Sequence, residues 1–448
     1  MAQTTTRALL AMTIIGALLL PAASAAGEET KWTLRDLILQ AIRSHEAVQI
    51  ADSRIRRADA DIRLVKSALL PRASFNGAYT FYADEQVIEL SPGESFELRP
   101  AQDWNGSIDL RQTLFYGLRD WRARDIARLN RGIAQLDRSI SINDLALEVA
   151  AAFYEALATE EGVEVRQLVL EANENQLKVA QRRYEVGEVA IAAVARFRSE
   201  TAAARQALVV AQGDAALARN RLVRLVNLQD VGTLVAPGPV PIPEGGEQTL
   251  EQTALAERLE MRVLVEQLKA AGLYVKVEKG AALPELDAAA QYFTQKAGFP
   301  ANDWLSLSLN LYVPIYQGGL VKANVAKARE DLREIELLEQ TVRRTIEDQV
   351  DSSLLAFEAA DAVLDAATER NKAARLSYRQ VEAAYRVGEA STIDLLDATT
   401  EAADAETAQI IARAQRQFQA ISLRYSIGLP PLPDLDFRTM SGADQQEN

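Results

Sequence analysis

The sequence predicts a mainly α-helical chain with four transmembrane-type β-strands. Three copies would close a β-barrel that continues into a long α-helical coiled-coil barrel. Three observations predict it. Residues 118–183 and 320–385 contain no proline and almost no glycine, and each would extend about 100 Å as a helix. Four short segments alternate apolar and polar residues with period two. The chain also repeats itself in order: Tyr184-Glu185-Val186-Gly187-Glu188 returns as Tyr385-Arg386-Val387-Gly388-Glu389, Asp103-Trp104 as Asp303-Trp304, and Leu70-Pro71 as Leu283-Pro284.

Residues 1–26 read as a signal peptide. Arg7 gives a positive start, Ala8 to Leu20 is an apolar run too short to span a bilayer, and Ala23-Ser24-Ala25 fits an A-x-A cleavage pattern. The first repeat follows over 27–228, with a helix, strands near 72–82 and 104–115, a long helix over 118–183 and a helix over 189–228. A Pro/Gly-rich connector occupies 229–248, where Pro237, Pro239, Pro241 and Pro243 forbid a helix. The second repeat spans 249–429, with a helix, strands near 285–293 and 304–313, a long helix over 320–385 and a helix over 390–428. Pro430, Pro431 and Pro433 end that helix, and 430–448 read as a flexible polar tail.

The strands fit either a membrane β-barrel, whose residues alternate between lipid and lumen, or a soluble antiparallel sheet with one face on a core. Leu305, Leu307, Leu309 and Leu311 point one way, and Ser306, Ser308 and Asn310 point the other. Phe75, Tyr79 and Phe81 alternate with Ser74, Asn76 and Thr80 in the same manner. Trp104, Trp304, Tyr312 and Tyr316 are candidate membrane-interface aromatics. The loop from Ala83 to Gln102 carries Asp84, Glu85, Glu89, Glu94 and Glu97, and it reads as a solvated loop facing outside the cell. A single-chain barrel needs about eight strands, so four require partners. Three copies supply a full set, which predicts a homotrimer.

On the long helices, Ile335, Leu338, Val342, Ile346, Val350 and Leu354 keep the three-to-four step of a coiled-coil stripe. Ala150, Ala151, Ala152 and Ala156 allow close helix approach. Gly187 and Gly388 are the candidate turns at which each long helix folds back. Both would lie at the end away from the strands.

Several chemistries are excluded. There is no cysteine, and His45 is the only histidine, so disulfides, thiol catalysis, His-based metal clusters and His-dependent triads are absent. His45 itself reads as a surface residue. No P-loop occurs, no apolar run beyond residue 26 is long enough for a membrane helix, and a net charge of −14 argues against nucleic acid. No cofactor is expected, and no enzyme. A soluble periplasmic coiled-coil structural or adaptor protein is the alternative.

The run Tyr385-Arg386-Val387-Gly388-Glu389-Ala390-Ser391-Thr392-Ile393-Asp394-Leu395-Leu396-Asp397-Ala398-Thr399-Thr400 resembles the TolC-like outer membrane efflux family, as does Tyr316-Gln317-Gly318-Gly319. The resemblance covers nearly all of the chain after residue 26. It implies a homotrimer with a twelve-stranded barrel in the outer membrane and a tunnel through the periplasm. An adaptor protein would join the tunnel to an inner-membrane transporter for efflux or type I secretion. It also implies that Asp394 and Asp397 form stacked acidic rings at the periplasmic entrance, with Tyr385 among the gate residues. Three polar gate positions of the family are alanines here: Ala192, Ala193 and Ala390. The expectation is a tip held by packing, or a leakier one.

Overall fold

The chain begins with strand β1 (Lys31–Thr33), helices α1 (Leu34–Ser44) and α2 (Glu46–Ser67), and strands β2 (Arg72–Phe81), β3 (Gln86–Ser91), β4 (Glu94–Arg99) and β5 (Gln102–Tyr116). Helix α3 (Arg119–Glu185) follows, then α4 (Ile191–Leu225), β6 (Thr233–Val235), α5 (Glu247–Glu257) and α6 (Leu259–Gly280). Strands β7 (Glu285–Gln295) and β8 (Asp303–Tyr312) lead into α7 (Leu320–Val387) and α8 (Thr392–Ser426). These assignments come from a computed structural model, which describes residues 31–243, 245–296 and 303–435. The predicted cleavage segment and residues 436–448 of the predicted tail lie outside the described residues.

The two long helices run the length of the molecule, and shorter helices pack along each half. In the half away from the strands, α4 lies on α3 and α8 on α7, with α3 also against α8. In the other half, α2 and α6 lie on α3, and α6 also touches α7. Among the described residues, no helix is long and apolar enough to cross a membrane.

The main core lies midway, where the short helices end. Leu34, Leu37 and Ile38 of α1, Val149 and Phe153 of α3, Leu222 of α4, Leu250 of α5, Ile346 and Val350 of α7, and Leu423 of α8 meet there, all buried. The small buried Ala146, Ala150, Ala152 and Ala156 let neighbouring helices close on α3. The stripe on α7 is only partly covered. Ile346 and Val350 are buried, whereas Leu338 is 46% exposed. Apolar positions toward the strand end of α7 therefore stay open in a single copy.

Three features of this region differ from the sequence reading. The first helix is interrupted at His45, whose extended backbone ends α1. Its half-buried imidazole then caps α2, with Nδ1 accepting from the Ala47 amide at 3.2 Å. The connector is not merely a seam, because β6 within it pairs in parallel with β1. The chain after Pro430 is not loose from its start. Leu435 is 3% exposed in the main core, and the buried Arg424 donates to the carbonyls of Pro430 (3.0 Å) and Pro241 (3.3 Å).

At the other end, β2, β5, β7 and β8 form one antiparallel sheet in the order β2-β5-β7-β8. Phe75 lies opposite Ile108, Ile108 opposite Tyr292, and Tyr292 opposite Leu305, which makes one face apolar. The other face is polar by the same register. Residues 83–102 are more than a solvated loop: β3 and β4 pair as an antiparallel hairpin between β2 and β5.

Candidate functional site

Two regions stand out chemically, and the turns that end the long helices are the first. Gly187 (φ 79°) and Gly388 (φ 85°) both take the left-handed conformation that glycine adopts at least cost. Glu188 N donates to Arg183 O (2.8 Å) and Glu389 N to Ala384 O (2.9 Å), so both long helices end in the same hydrogen-bonded turn. That shared geometry explains why Tyr-x-Val-Gly-Glu occurs twice.

Asp394 and Asp397 lie in the first turns of α8, and both are exposed. Asp394 has a local role that the sequence reading overlooked. Its carboxylate accepts from the Ser391 amide (2.9 Å), and its own amide donates to Ser391 Oγ (3.2 Å). This is a capping box, and Ser-x-x-Asp at 391–394 was its signature in the sequence. Hydrogen bonds from Ser391, side chain before backbone, hold the Asp394 carboxyl below its ordinary range. It is therefore charged at any physiological pH.

Tyr385 faces neither solvent nor these acids. It is buried in an apolar cluster with Ala180, Val194, Phe197, Leu395 and Leu396. Its ring meets Phe197 edge-on, with centroids 6.4 Å apart, and the Arg183 guanidinium lies over it at 5.7 Å. The cluster joins the α3/α4 hairpin to the α7/α8 hairpin. Ala390 packs against it as well, so one of the alanines at a polar family position contributes to packing here. Farther from the tip, Arg166 pairs with Asp404 (3.2 Å) across α3 and α8.

The polar sheet face is the second region. Asp109 lies at its centre, accepting from Ser107 (2.8 Å), Asn76 (2.8 Å) and Gln291 (2.6 Å). A cavity of about 1130 Å³ opens over this face, lined by residues including Ser74, Arg111, Asp287, Ser306 and Asn310. The opposite face is bare: Phe75 is 74% and Leu307 78% exposed. The outer strands β2 and β8 each have one unpaired edge among the described residues. A large exposed apolar face with open edges marks a surface that something else covers.

The predicted interface aromatics divide between the two faces. Trp104 pairs in register with Tyr79, on the apolar side. Trp304 and Tyr312 have the parity of Ser306 and Ser308, so they lie on the polar side, and Trp304 stacks on Phe293 at 5.2 Å. Their assignment as lipid-interface residues is corrected on that ground, since the pleat allows only one face per parity. Tyr316 lies between β8 and α7 and is 88% exposed.

Among the described residues, Glu247, Glu251 and Asp351 come close enough to share an ion, yet all three are partly or fully exposed. Such a group is an ordinary feature of an acidic surface.

The sequence matches the family model described as "Outer membrane efflux protein" over residues 37–228 and 250–429. The chain is 25% identical over 405 residues to the outer membrane efflux protein BepC of Brucella suis, covering 88% of this chain and 84% of that one. It is 24% identical over 434 residues to the outer membrane protein TolC of Escherichia coli, covering 89% and 84%. The fold superimposes on the CmeC outer membrane channel of Campylobacter jejuni with a TM-score of 0.75 at 15% identity, covering 91% of this chain and 88% of that one. A soluble periplasmic rod is thereby set aside. The chain belongs to the outer membrane efflux protein family, TolC-like channel proteins of the outer membrane that extend into the periplasm and conduct without catalysing a reaction.

Proposed function

We propose that three copies of this chain form a passive exit duct, with a twelve-stranded barrel in the outer membrane continued by a helical tunnel. The sheet carries this reading. It is apolar and bare on one face, polar on the other, and unpaired at both edges, which suits lipid outside, water inside and a neighbouring copy on each side. Trp104 and Tyr316 would then lie near the membrane interfaces, and the β3/β4 hairpin outside the cell. Two matched segments of one family model, each holding two sheet strands and a long helix, support an internal two-fold repeat.

In this reading the tip turns form the periplasmic entrance. Threefold symmetry would stack Asp394 and Asp397 as acidic rings, since a spacing of three keeps them on one helix face. The cluster around Tyr385 would hold each copy's hairpins together. Energy would come from an inner-membrane transporter reached through a periplasmic adaptor, because the chain has no nucleotide motif of its own.

The test is the mass of the purified mature chain in detergent, followed by its conductance in a planar bilayer. A heat-modifiable trimer with cation-preferring conductance supports the duct. A monomer that dissolves in plain buffer and has no affinity for lipid ends it.

A further inference from the structure

Arg72 and Arg111 lie directly opposite each other on β2 and β5, and both line the cavity over the polar sheet face. Like charges at opposed strand positions repel. Among the described residues, neither guanidinium has an ion-pair partner within 4.0 Å. Three carboxylates also line the cavity, and none forms an ion pair with either arginine. Asp109 accepts hydrogen bonds from Ser107, Asn76 and Gln291, and the Arg111 charge acts on it without forming an ion pair. Asp287 pairs in register with Thr113, one pleat beyond Arg111. Asp120 lies in the first turn of α3, where burial pushes its carboxyl up and the charge of Arg119 opposes that shift.

The strand that would lie beside β2 brings no carboxylate to this face. This step rests on the duct reading, in which β8 of the next copy would lie beside β2. The polar-side residues of β8 are Trp304, Ser306, Ser308, Asn310 and Tyr312, and none is a carboxylate. A chain with net charge −14 thus keeps two adjacent guanidiniums outside any ion pair on what would be its inner wall, with the already hydrogen-bonded Asp109 as the near charge of Arg111.

We propose that Arg72 and Arg111 form an oxyanion-binding site on that wall, taking the carboxylate or phosphate group of a solute in transit. A guanidinium offers a planar fork of donors that matches both groups, and two forks side by side can hold one anion from two directions. Asp394 and Asp397 at the far end favour cations. The duct would therefore select at its mouth for positive charge and retain negative charge near the base of the barrel.

The experiment is calorimetric titration of inorganic pyrophosphate into the detergent-solubilised full-length protein at low ionic strength, with the mass of the same sample measured by light scattering. The wild type is expected to bind saturably, R72Q/R111Q to bind at least tenfold more weakly, and K322Q/K327Q to bind like the wild type. Should the double variant fail to assemble, R111Q alone is expected to weaken binding at least threefold. Equal binding by trimeric wild type and R72Q/R111Q, or no saturable binding by a trimeric wild type, overturns the site and leaves the duct intact. A soluble monomer rejects both.

Discussion

A Cβ built on Gly117 would lie 2.2 Å from the Gly280 carbonyl oxygen, and one built on Gly280 would lie 2.6 Å from the Gly117 carbonyl oxygen. Gly117 directly follows β5 ahead of α3, and Gly280 ends α6 ahead of β7. The contact fixes the strand-to-helix corner of one half against the helix-to-strand corner of the other. Gly117 also has φ 61°, a second reason that only glycine fits. Gly117→Ala and Gly280→Ala are each expected to cut the yield of heat-modifiable oligomer sharply, with Gly117→Ala the worse. Gly132→Ala, where nothing lies within 4 Å of an added Cβ, should be silent. Gel mobility with and without heating reads all three.

The ring pair of Phe197 and Tyr385 joins the two hairpins at the tip. Phe197→Ala and Tyr385→Ala should each destabilise that cluster by about 3–5 kcal/mol, the usual effect of emptying a buried aromatic site. Tyr385→Phe keeps the ring and should behave like the wild type. Hydrogen exchange over residues 177–200 and 378–396 is the measure. Both alanine variants should speed exchange there while leaving the mid-molecule core protected.

Asp394 offers a pH prediction with a defined sign. Its folded pKa is lowered by Ser391, so the cap adds stability above the ordinary carboxylate pKa. That stability is lost only as pH falls through the lower folded value. The tip of the wild type should therefore hold its exchange protection from neutral pH down into the ordinary carboxylate range. Ser391→Ala should raise the Asp394 pKa toward normal and begin losing protection at higher pH. Asp394→Asn/Asp397→Asn should reduce cation preference, measured as a reversal-potential shift across a salt gradient.

Arg258 is 6% exposed and donates to Glu260 (2.7 Å), Gln349 (2.9 Å) and the Ser426 carbonyl (3.1 Å). It ties α6, α7 and α8 together beside the turn at Gly428. Arg258→Met strands three acceptors and should lower thermal stability by several degrees or more. Lysine should not rescue, because a single ammonium cannot reach the same acceptors as the planar fork. A melting curve in detergent decides it.

The two sheet faces predict opposite tolerance. Leu307→Arg places a charge on the bare face and should oppose membrane insertion by about 2–4 kcal/mol near mid-bilayer. Ser308→Arg, one residue along on the polar face, should insert normally. Recovery from the outer-membrane fraction separates them.

By itself the sequence determined the two long helices, the four strands of the main sheet and the turns that end the long helices. Their signals are local: proline-free runs over 118–183 and 320–385, a three-to-four step from Ile335 to Leu354, period-two alternation near 304–313, and glycines at 187 and 388. The Ser391-x-x-Asp394 cap is likewise a local signal, carried by residue types at a fixed spacing. Tertiary structure alone decided what depends on neighbours distant in the chain. It placed Tyr385 in an apolar cluster with Phe197, paired β6 with β1, brought Leu435 into the core, and set Arg72 opposite Arg111. No periodicity encodes such contacts, because they arise when separate elements bury surface against one another. Propensity acts within a helix or strand, whereas burial and register are properties of the assembled chain.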